Sequence, residues 1–228
     1  MKTQRPAVGG AVYGVILNDR DSLARMGDAL LDAPYKGVPK APVLYLKPRG
    51  TLVGEGAVVH LPVGAGAVEI GATLGVVLAR PVARIAPAQV PEALAGYVLV
   101  ADLSLPHASY YRPAIREKCF DGACPVGARL LAPAQVGAGV DGVDLARVSL
   151  RTYVNGALVA TRSLADLVRD VPTLVADVSE FMTLRRGDTL LVGVTWQAAQ
   201  ARAGSRVRVE ADRVGSVEFE IAAGEGAA

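Results

Sequence analysis

The sequence is poor in the residues that staple small proteins or bind zinc. It has two cysteines and two histidines in 228 residues. Cys119 and Cys124 make no disulfide framework in a chain of this length. A reducing cytosol would keep them as thiols. Their C-x4-C spacing lacks a second pair of zinc ligands, because His60 and His107 stand at no matching interval. There is little charge of either sign in excess: 24 Lys and Arg against 22 Asp and Glu, interspersed, for a net charge of +2. A nucleic-acid surface needs a clustered basic face, so that class is set aside. No apolar run approaches the ~20 residues that a membrane-spanning helix requires. "GYVLVADLSL" is stopped by Asp102. The N-terminus starts basic and then apolar, but runs into Asn18-Asp19-Arg20-Asp21 with no small-residue cleavage site. Residues 1–10 therefore read as a loose tail before a first strand. No repeat is visible, and "GAGAVEIG" and "GAGVDG" are not strand–GxGxxG–helix units.

What is there fits one cytoplasmic domain. Hydrophobic residues make up 51% and charged residues 20%. A chain this long buries roughly 70% of its unfolded surface and needs no staple. The domain is placed at residues 11–222, with a short frayed tail at 223–228. Val12 to Leu17 reads as a buried strand. Leu23, Met26, Leu30 and Leu31 recur at helical spacing, predicting a helix over 21–31 capped by Asp21 or Ser22. "VLYLKP", "TLVG", "AVVHLP" and "AVEIGATLGVVLAR" are short β-favouring runs cut by Gly and Pro. "PAQVPEALAG" predicts a helix from about Pro87 that feeds the strand "YVLVADLS". "VSLRTYVNGALVATRS" alternates about Asn155-Gly156, the strongest short hairpin signal. "SLADLVRDVPTLVADVSEFMTL" is helical with Pro172 interrupting it. "GDTLLVGVTW" and "SRVRVEADRVGSVEFEI" are strands again.

Six segments, in order, resemble the fumarylacetoacetate hydrolase family. They are "YLKPRGTLVGEG", "VEIGATLGVVLAR", "LAGYVLVADLSLPHASYYRPAI", "EKCFDGACPVG", "VSLRTYVNGALVATRSLADLV" and "LVADVSEFMTLRRGDTLLVG". The likeness runs from about residue 11 to 221. It implies an α+β, β-dominated fold, a mixed β-sandwich roll with a few peripheral helices, and domains paired about a two-fold axis. Within the family, "LNDRDSL", "PYKGVPK", "KPRGTLVG", "DLSLPHASYYRPAI" and "KCFDGACPVG" look like the N-terminal half of the decarboxylase/isomerase branch. That branch serves 4-hydroxyphenylacetate (homoprotocatechuate) degradation. Some bacteria carry it as a tandem duplication and others as separate chains. The resemblance implies action on 5-oxopent-3-ene-1,2,5-tricarboxylate and 2-hydroxyhepta-2,4-diene-1,7-dioate.

The chemistry implied is loss of CO₂ next to a conjugated 2-oxo group. The negative charge left behind must be delocalised, and a Mg²⁺ or Mn²⁺ ion chelated by the 2-oxo acid serves as electron sink. Such ions want several oxygen ligands. The family supplies three carboxylates, two from an E-x-E pair whose alternate residues face the same side of one strand. Here the pair falls on Gly71 and Thr73, and only Asp102 keeps its carboxylate. Glu69 lies two residues earlier on the same face, displaced by roughly 7 Å, and is read as a solvated strand-edge residue. Glu69 and Asp102 are thus a degenerate metal pair, and this chain alone is expected to hold neither ion. Lys118 and Asp121 match the family's K-x-x-D-G stretch as catalytic candidates. Lys47, Arg112 and Gly193 are the substrate-binding candidates. For Lys47, Arg112 and Lys118, pocket cations and ordinary snorkelled surface cations both stay open. Val192-Gly193-Val194-Thr195 stands where the family has Thr-Gly-Thr-Pro, so the first hydroxyl is absent.

The expected partner is a homologous catalytic subunit with an intact E-x-E pair, with a homodimer when the chain is alone. Two other readings remain. One is an independent hydrolase or decarboxylase of an acylpyruvate-like 2-oxo acid, built on Glu69, Asp102 and Lys118. The other is a non-catalytic ligand-binding pseudoenzyme.

Overall fold

Two eleven-residue stretches organise the molecule, "VEIGATLGVVL" and "LAGYVLVADLS". Both are rich in β-branched and aliphatic residues, and almost every residue of each is buried. A strand buried on both faces must lie in the middle of a sheet with a layer on either side. The computed structural model describes residues 8–107, 109, 114–136 and 143–224. Its strands are β1 (Val12–Ile16), β2 (Val43–Lys47), β3 (Leu52–Gly54), β4 (Val58–His60), β5 (Val68–Leu78), β6 (Leu94–Ser104), β7 (Cys124–Leu131), β8 (Ser149–Val154), β9 (Ala157–Ser163), β10 (Thr189–Leu191), β11 (Gln200–Ala201), β12 (Arg206–Ala211) and β13 (Gly215–Ala222).

The first sheet runs β2-β1-β10-β5-β6-β7-β3, with β11 also on β5; the second runs β4-β13-β12-β8-β9. β5 and β6 are antiparallel, with Glu69 opposite Ser104, Gly71 opposite Asp102 and Thr73 opposite Val100. Alternation then sorts their side chains. Ile70, Leu74, Val76, Leu99 and Leu103 face the second sheet and pack with Leu150, Val207, Val217 and Phe219 in the main core. Val77, Val98 and Val100 face the other way and pack with Val12, Val126 and Leu191. Glu69, Gly71, Thr73 and Asp102 share that second face. The edge strands β2 and β3 are joined only by the Pro48–Thr51 turn. The sheet therefore curls, and this second face is its concave side.

The mixed β-sandwich roll with few helices is as expected. Three local expectations change. The first helix, α1 (Arg20–Met26), is capped by Asp19, whose carboxylate accepts from the Ser22 amide, and not by Asp21 or Ser22. It gives way to a 3₁₀ turn over Gly27–Leu30. No α-helix forms at Pro87. Two 3₁₀ turns, Pro87–Gln89 and Pro91–Ala93, stand there instead. Pro91 has no N–H to donate to the Pro87 carbonyl, so the α-helical ladder cannot start. A one-turn helix, α2, covers Ile115–Lys118. Pro172 does not interrupt a helix but begins one. It sits in the first turn of α3 (Val171–Ser179), where the missing N–H costs nothing, and Asp170 caps the Thr173 amide. Among the described residues no helix is long and apolar enough to cross a membrane.

The β8–β9 hairpin turns at Asn155 (φ 51°) and Gly156 (φ 83°), both left-handed as a type I′ turn demands. Replacing Gly156 by Val forces a β-branched residue into that region. A loss of about 1–2 kcal/mol is expected, read as a lowered urea midpoint. An unchanged midpoint would show that the turn does not hold the hairpin's register.

Candidate active site

The concave face of the first sheet carries the chemistry. Asp102 on β6 is fully buried, and three side chains converge on it. Lys47 Nζ on β2 lies 2.5 Å from Oδ1, Lys118 Nζ at the end of α2 lies 3.1 Å from Oδ2, and the Tyr45 hydroxyl donates to Oδ2. Tyr45 and Lys47 are alternate residues of β2, so both point into the curl. The Tyr45 ring lies across Gly14 of β1, where any Cβ would fall inside the ring. Glycine is what lets the ring reach Asp102.

Lys47 is more than a counter-ion. Its ammonium also donates to the carbonyls of Leu103 (2.8 Å), Lys118 (2.7 Å) and Ala123 (3.0 Å). It ties β2 to β6 and to the segment between α2 and β7. Lys118 has fewer obligations: one bond to Asp102 and a position 4.4 Å above the centre of the Tyr45 ring. Both lysines are buried, so neither is a snorkelled surface cation.

The electrostatics follow from two cations around one carboxylate in a dry site. Burial alone would push the Asp102 carboxyl up. Lys118 and Lys47, with hydrogen bonds from Lys47 and Tyr45, outweigh burial and hold it below the usual carboxylate range. Burial lowers the pKa of Lys118; the positive charge of Lys47 adds to this, and Asp102 opposes it. Glu69 is not the solvated edge residue expected above. It is 7% exposed on a central strand, and burial pushes its carboxyl up to about 7 against the opposing pull of Lys118.

A raised carboxyl pKa means that the folded state binds a proton more tightly than the unfolded chain. The stabilising contribution from protonated Glu69 is complete below about 4.5 and is lost as pH rises through about 7. Thermal melts of the protein against Glu69→Gln should therefore converge above pH 8 in slope. Between pH 5 and 7 only the protein with Glu69 should lose stability as pH rises. Parallel curves throughout that window would refute a buried Glu69.

A divalent cation does not fit these residues. At Gly71 an added Cβ would lie 2.7 Å from the Asp102 carbonyl oxygen and 2.7 Å from Val194 Cγ1, so the space for a first carboxylate is filled. At the second position Thr73 Oγ1 donates to the Gly193 carbonyl at 2.5 Å. Asp102 is already shared by two ammonium groups and a phenol. Among the described residues no group of three His, Cys, Asp or Glu could hold a metal. Asp102 and Glu69 are two carboxylates, and the first is already paired with both lysines.

The other sequence candidates are spread out. Gly193 (φ 130°) lies just past the end of β10, and its carbonyl accepts from both Thr73 and Arg162. Asp121 is exposed in the turn before β7, close to Gly50 and lining a surface depression with His60 and Phe120. Arg112 lies outside the described residues. Cys119 and Cys124 are free thiols, and burial pushes Cys124 up to about 12.

Two groups escaped the sequence reading. Tyr45 was legible in principle, two residues before Lys47 on the same strand face. Arg162 was not. It is buried behind Gly193, paired with Asp19 at 2.9 Å, and donates to the carbonyls of Ala72 and Gly193. Nothing in the sequence links residues so far apart.

A rolled mixed sheet holds a buried carboxylate between two lysines on its concave face. The chain belongs to the fumarylacetoacetate hydrolase family: the model of the fumarylacetoacetate (FAA) hydrolase C-terminal domain matches residues 11–222. It is 35% identical over 203 residues to the 4-hydroxyphenylacetate degradation bifunctional isomerase/decarboxylase of Escherichia coli, covering 89% of this chain and 45% of that protein. The chain thus spans about half the length of the curated relatives it matches. The crystal structure of 5-carboxymethyl-2-hydroxymuconate delta-isomerase from Mycobacterium smegmatis superposes with a TM-score of 0.80 at 26% identity, covering 99% of this chain and 83% of that one. Maleylpyruvate hydrolase from Sphingobium sp. SYK-6, solved with manganese(II) and pyruvate, shares the fold with a TM-score of 0.74 at 23% identity, over 94% and 71%. The family thus contains isomerase and decarboxylase enzymes, and a manganese-bound member.

Proposed function

We propose that this chain is a subunit of a catabolic decarboxylase/isomerase of 4-hydroxyphenylacetate degradation. Its substrates would be 5-oxopent-3-ene-1,2,5-tricarboxylate and 2-hydroxyhepta-2,4-diene-1,7-dioate. One observation carries the reading. The chain matches about half of a bifunctional relative at 35% identity, yet its E-x-E positions hold Gly71 and Thr73. In this reading the metal-dependent step belongs to a homologous chain with an intact pair, and the two chains meet as pseudo-two-fold partners. A two-fold contact is self-complementary, so homologous chains can share it, and the chain alone would form homodimers.

The test is co-expression with a homologous chain carrying an intact E-x-E pair. The two should co-elute as a heteromer, and turnover of the tricarboxylate should exceed that of either chain alone. A chain that stays monomeric at micromolar concentration, binds no such homologue and adds nothing to its rate would overturn the proposal.

A second reading has its own support. The Asp102, Lys118, Lys47 and Tyr45 cluster is complete within this chain. That favours an independent decarboxylase or hydrolase of an acylpyruvate-like 2-oxo acid over an inert pseudoenzyme.

A further inference from the structure

The face of β6 opposite to Asp102 carries a separate feature. Tyr97 shares that face with Leu99 and Leu103, and lies roughly 17 Å from Asp102 along the strand. It lines a cavity of about 340 Å³. Val136, Val143, Leu164, Leu167 and Val171 form the walls, with Val136 and Val143 bridged to each other. Pro91, Pro133 and Pro172 add ring carbons and no N–H donor. Tyr97 is 5% exposed, and among the described residues its hydroxyl has no hydrogen-bond partner. A buried tyrosine hydroxyl ordinarily has one. Burial also pushes its pKa up, so it stays a neutral donor and acceptor. Two carboxylates, Asp144 and Asp170, stand exposed at the rim. Asp144 accepts from the Ala146 amide at 3.0 Å, and Asp170 from the Thr173 amide at 2.9 Å. The described lining holds no Lys, Arg or His. An organic acid entering here would give up its hydration beside two negative charges and meet no cation. That is the reverse of the Asp102 face with its two lysines.

We propose that this cavity is a binding site for a neutral single-ring phenol, whose ring packs against the aliphatic walls and whose hydroxyl pairs with that of Tyr97. The size fits. An apolar protein cavity of roughly 150 Å³ holds benzene, so one of about 340 Å³ takes a ring with a short alkyl substituent. The Tyr97 ring gives an aromatic ligand an edge or a face to pack on, which favours it over an aliphatic alcohol. A hydroxyl matches Tyr97 because each can donate to or accept from the other. The same hydroxyl in an apolar site adds about tenfold in affinity over the bare ring. Asp144 and Asp170 turn acids away. The inference rests neither on the 2-oxo acid reading nor on the subunit assembly, since it concerns the other face of β6.

The experiment is titration calorimetry of the full chain with 4-ethylphenol, ethylbenzene, 4-ethylcyclohexanol and 4-ethylbenzoate as probes. One saturable site is expected for 4-ethylphenol. Ethylbenzene should bind about tenfold more weakly, the worth of one hydrogen bond. 4-Ethylcyclohexanol should also bind more weakly than the phenol, and 4-ethylbenzoate weakest of all. Tyr97→Phe should bring 4-ethylphenol down to the level of ethylbenzene. It should leave the urea midpoint unchanged or higher, because the hydroxyl removed has no partner within the described protein. Ala146 lines the cavity and is exposed, so Ala146→Trp plugs the mouth without entering the core. Binding of both 4-ethylphenol and ethylbenzene should then be lost at an unaltered urea midpoint. The absence of saturable 4-ethylphenol binding overturns the proposal. Equal affinity for any of the other three probes does the same, as does a site that neither substitution affects. If Tyr97→Phe fails to fold, Ala146→Trp decides by itself: lost binding supports the site and unchanged binding refutes it.

Discussion

Asp102→Ala is expected to be the most damaging single substitution in the molecule. It removes the carboxylate that lies between Lys47 and Lys118, both buried. Two ammonium groups are left facing each other in a dry site. Breaking a buried pair from one side costs about 3–5 kcal/mol, because the remaining charge keeps its desolvation penalty. For a chain of this size that is a fall of ~10 °C or more in Tm. Lys118→Met should cost less, since Lys47 and Tyr45 still satisfy Asp102. Calorimetry on the two variants checks the order. An Asp102→Ala protein within ~0.5 kcal/mol of the parent, the range of ordinary surface changes, would refute the buried cluster.

The second large effect concerns an attempt to rebuild the carboxylate pair. Gly71→Glu with Thr73→Glu restores the E-x-E spelling, and it should fail both as a metal site and as a fold. The Gly71 Cβ would meet the backbone oxygen of Asp102, paired across the strand and unable to move alone, as well as Val194. At the other position, Thr73→Glu removes the hydroxyl bond to Gly193 and buries a charge in its place. Overpacking alone costs roughly 1–3 kcal/mol, and an unpaired buried carboxylate adds several more. Insoluble or strongly destabilised protein is expected. Titration calorimetry on any soluble fraction should show no Mg²⁺ or Mn²⁺ site tighter than ~100 µM, a range that carboxylate-rich sites reach. Such a site, with the fold intact, would mean that the strand can adapt and that the filling by Val194 is incidental.

The degree to which this site was legible varied residue by residue. Lys47, Lys118 and Asp102 could be named from the motifs around them, but their burial could not. A lysine next to Pro48 in "YLKP" looks the same whether it snorkels to water or crosses the curl of a sheet. Glu69 was misplaced for a related reason. Glutamate on a strand is ordinarily exposed, and only the pairing of β5 between β10, β11 and β6 puts it in the interior. The helix expected from Pro87 failed on a local rule that was available, the missing Pro91 N–H. Asp19 was overlooked as a cap because Asp21 and Ser22 stand closer to the first apolar residue.

By itself the sequence determined what depends on short-range stereochemistry and on pattern. It set the β-rich class through dense β-branched runs, the β8–β9 hairpin through Asn155-Gly156, and the absence of a carboxylate pair through Gly71 and Thr73. Only the tertiary structure decided what fills the gap. Val194, the Tyr45 ring over Gly14, and the shared hold of Lys47 and Lys118 on Asp102 come from strands far apart in sequence. Their meeting is fixed by the curl of the sheet, a consequence of strand twist and of the short β2–β3 connection that no local pattern encodes.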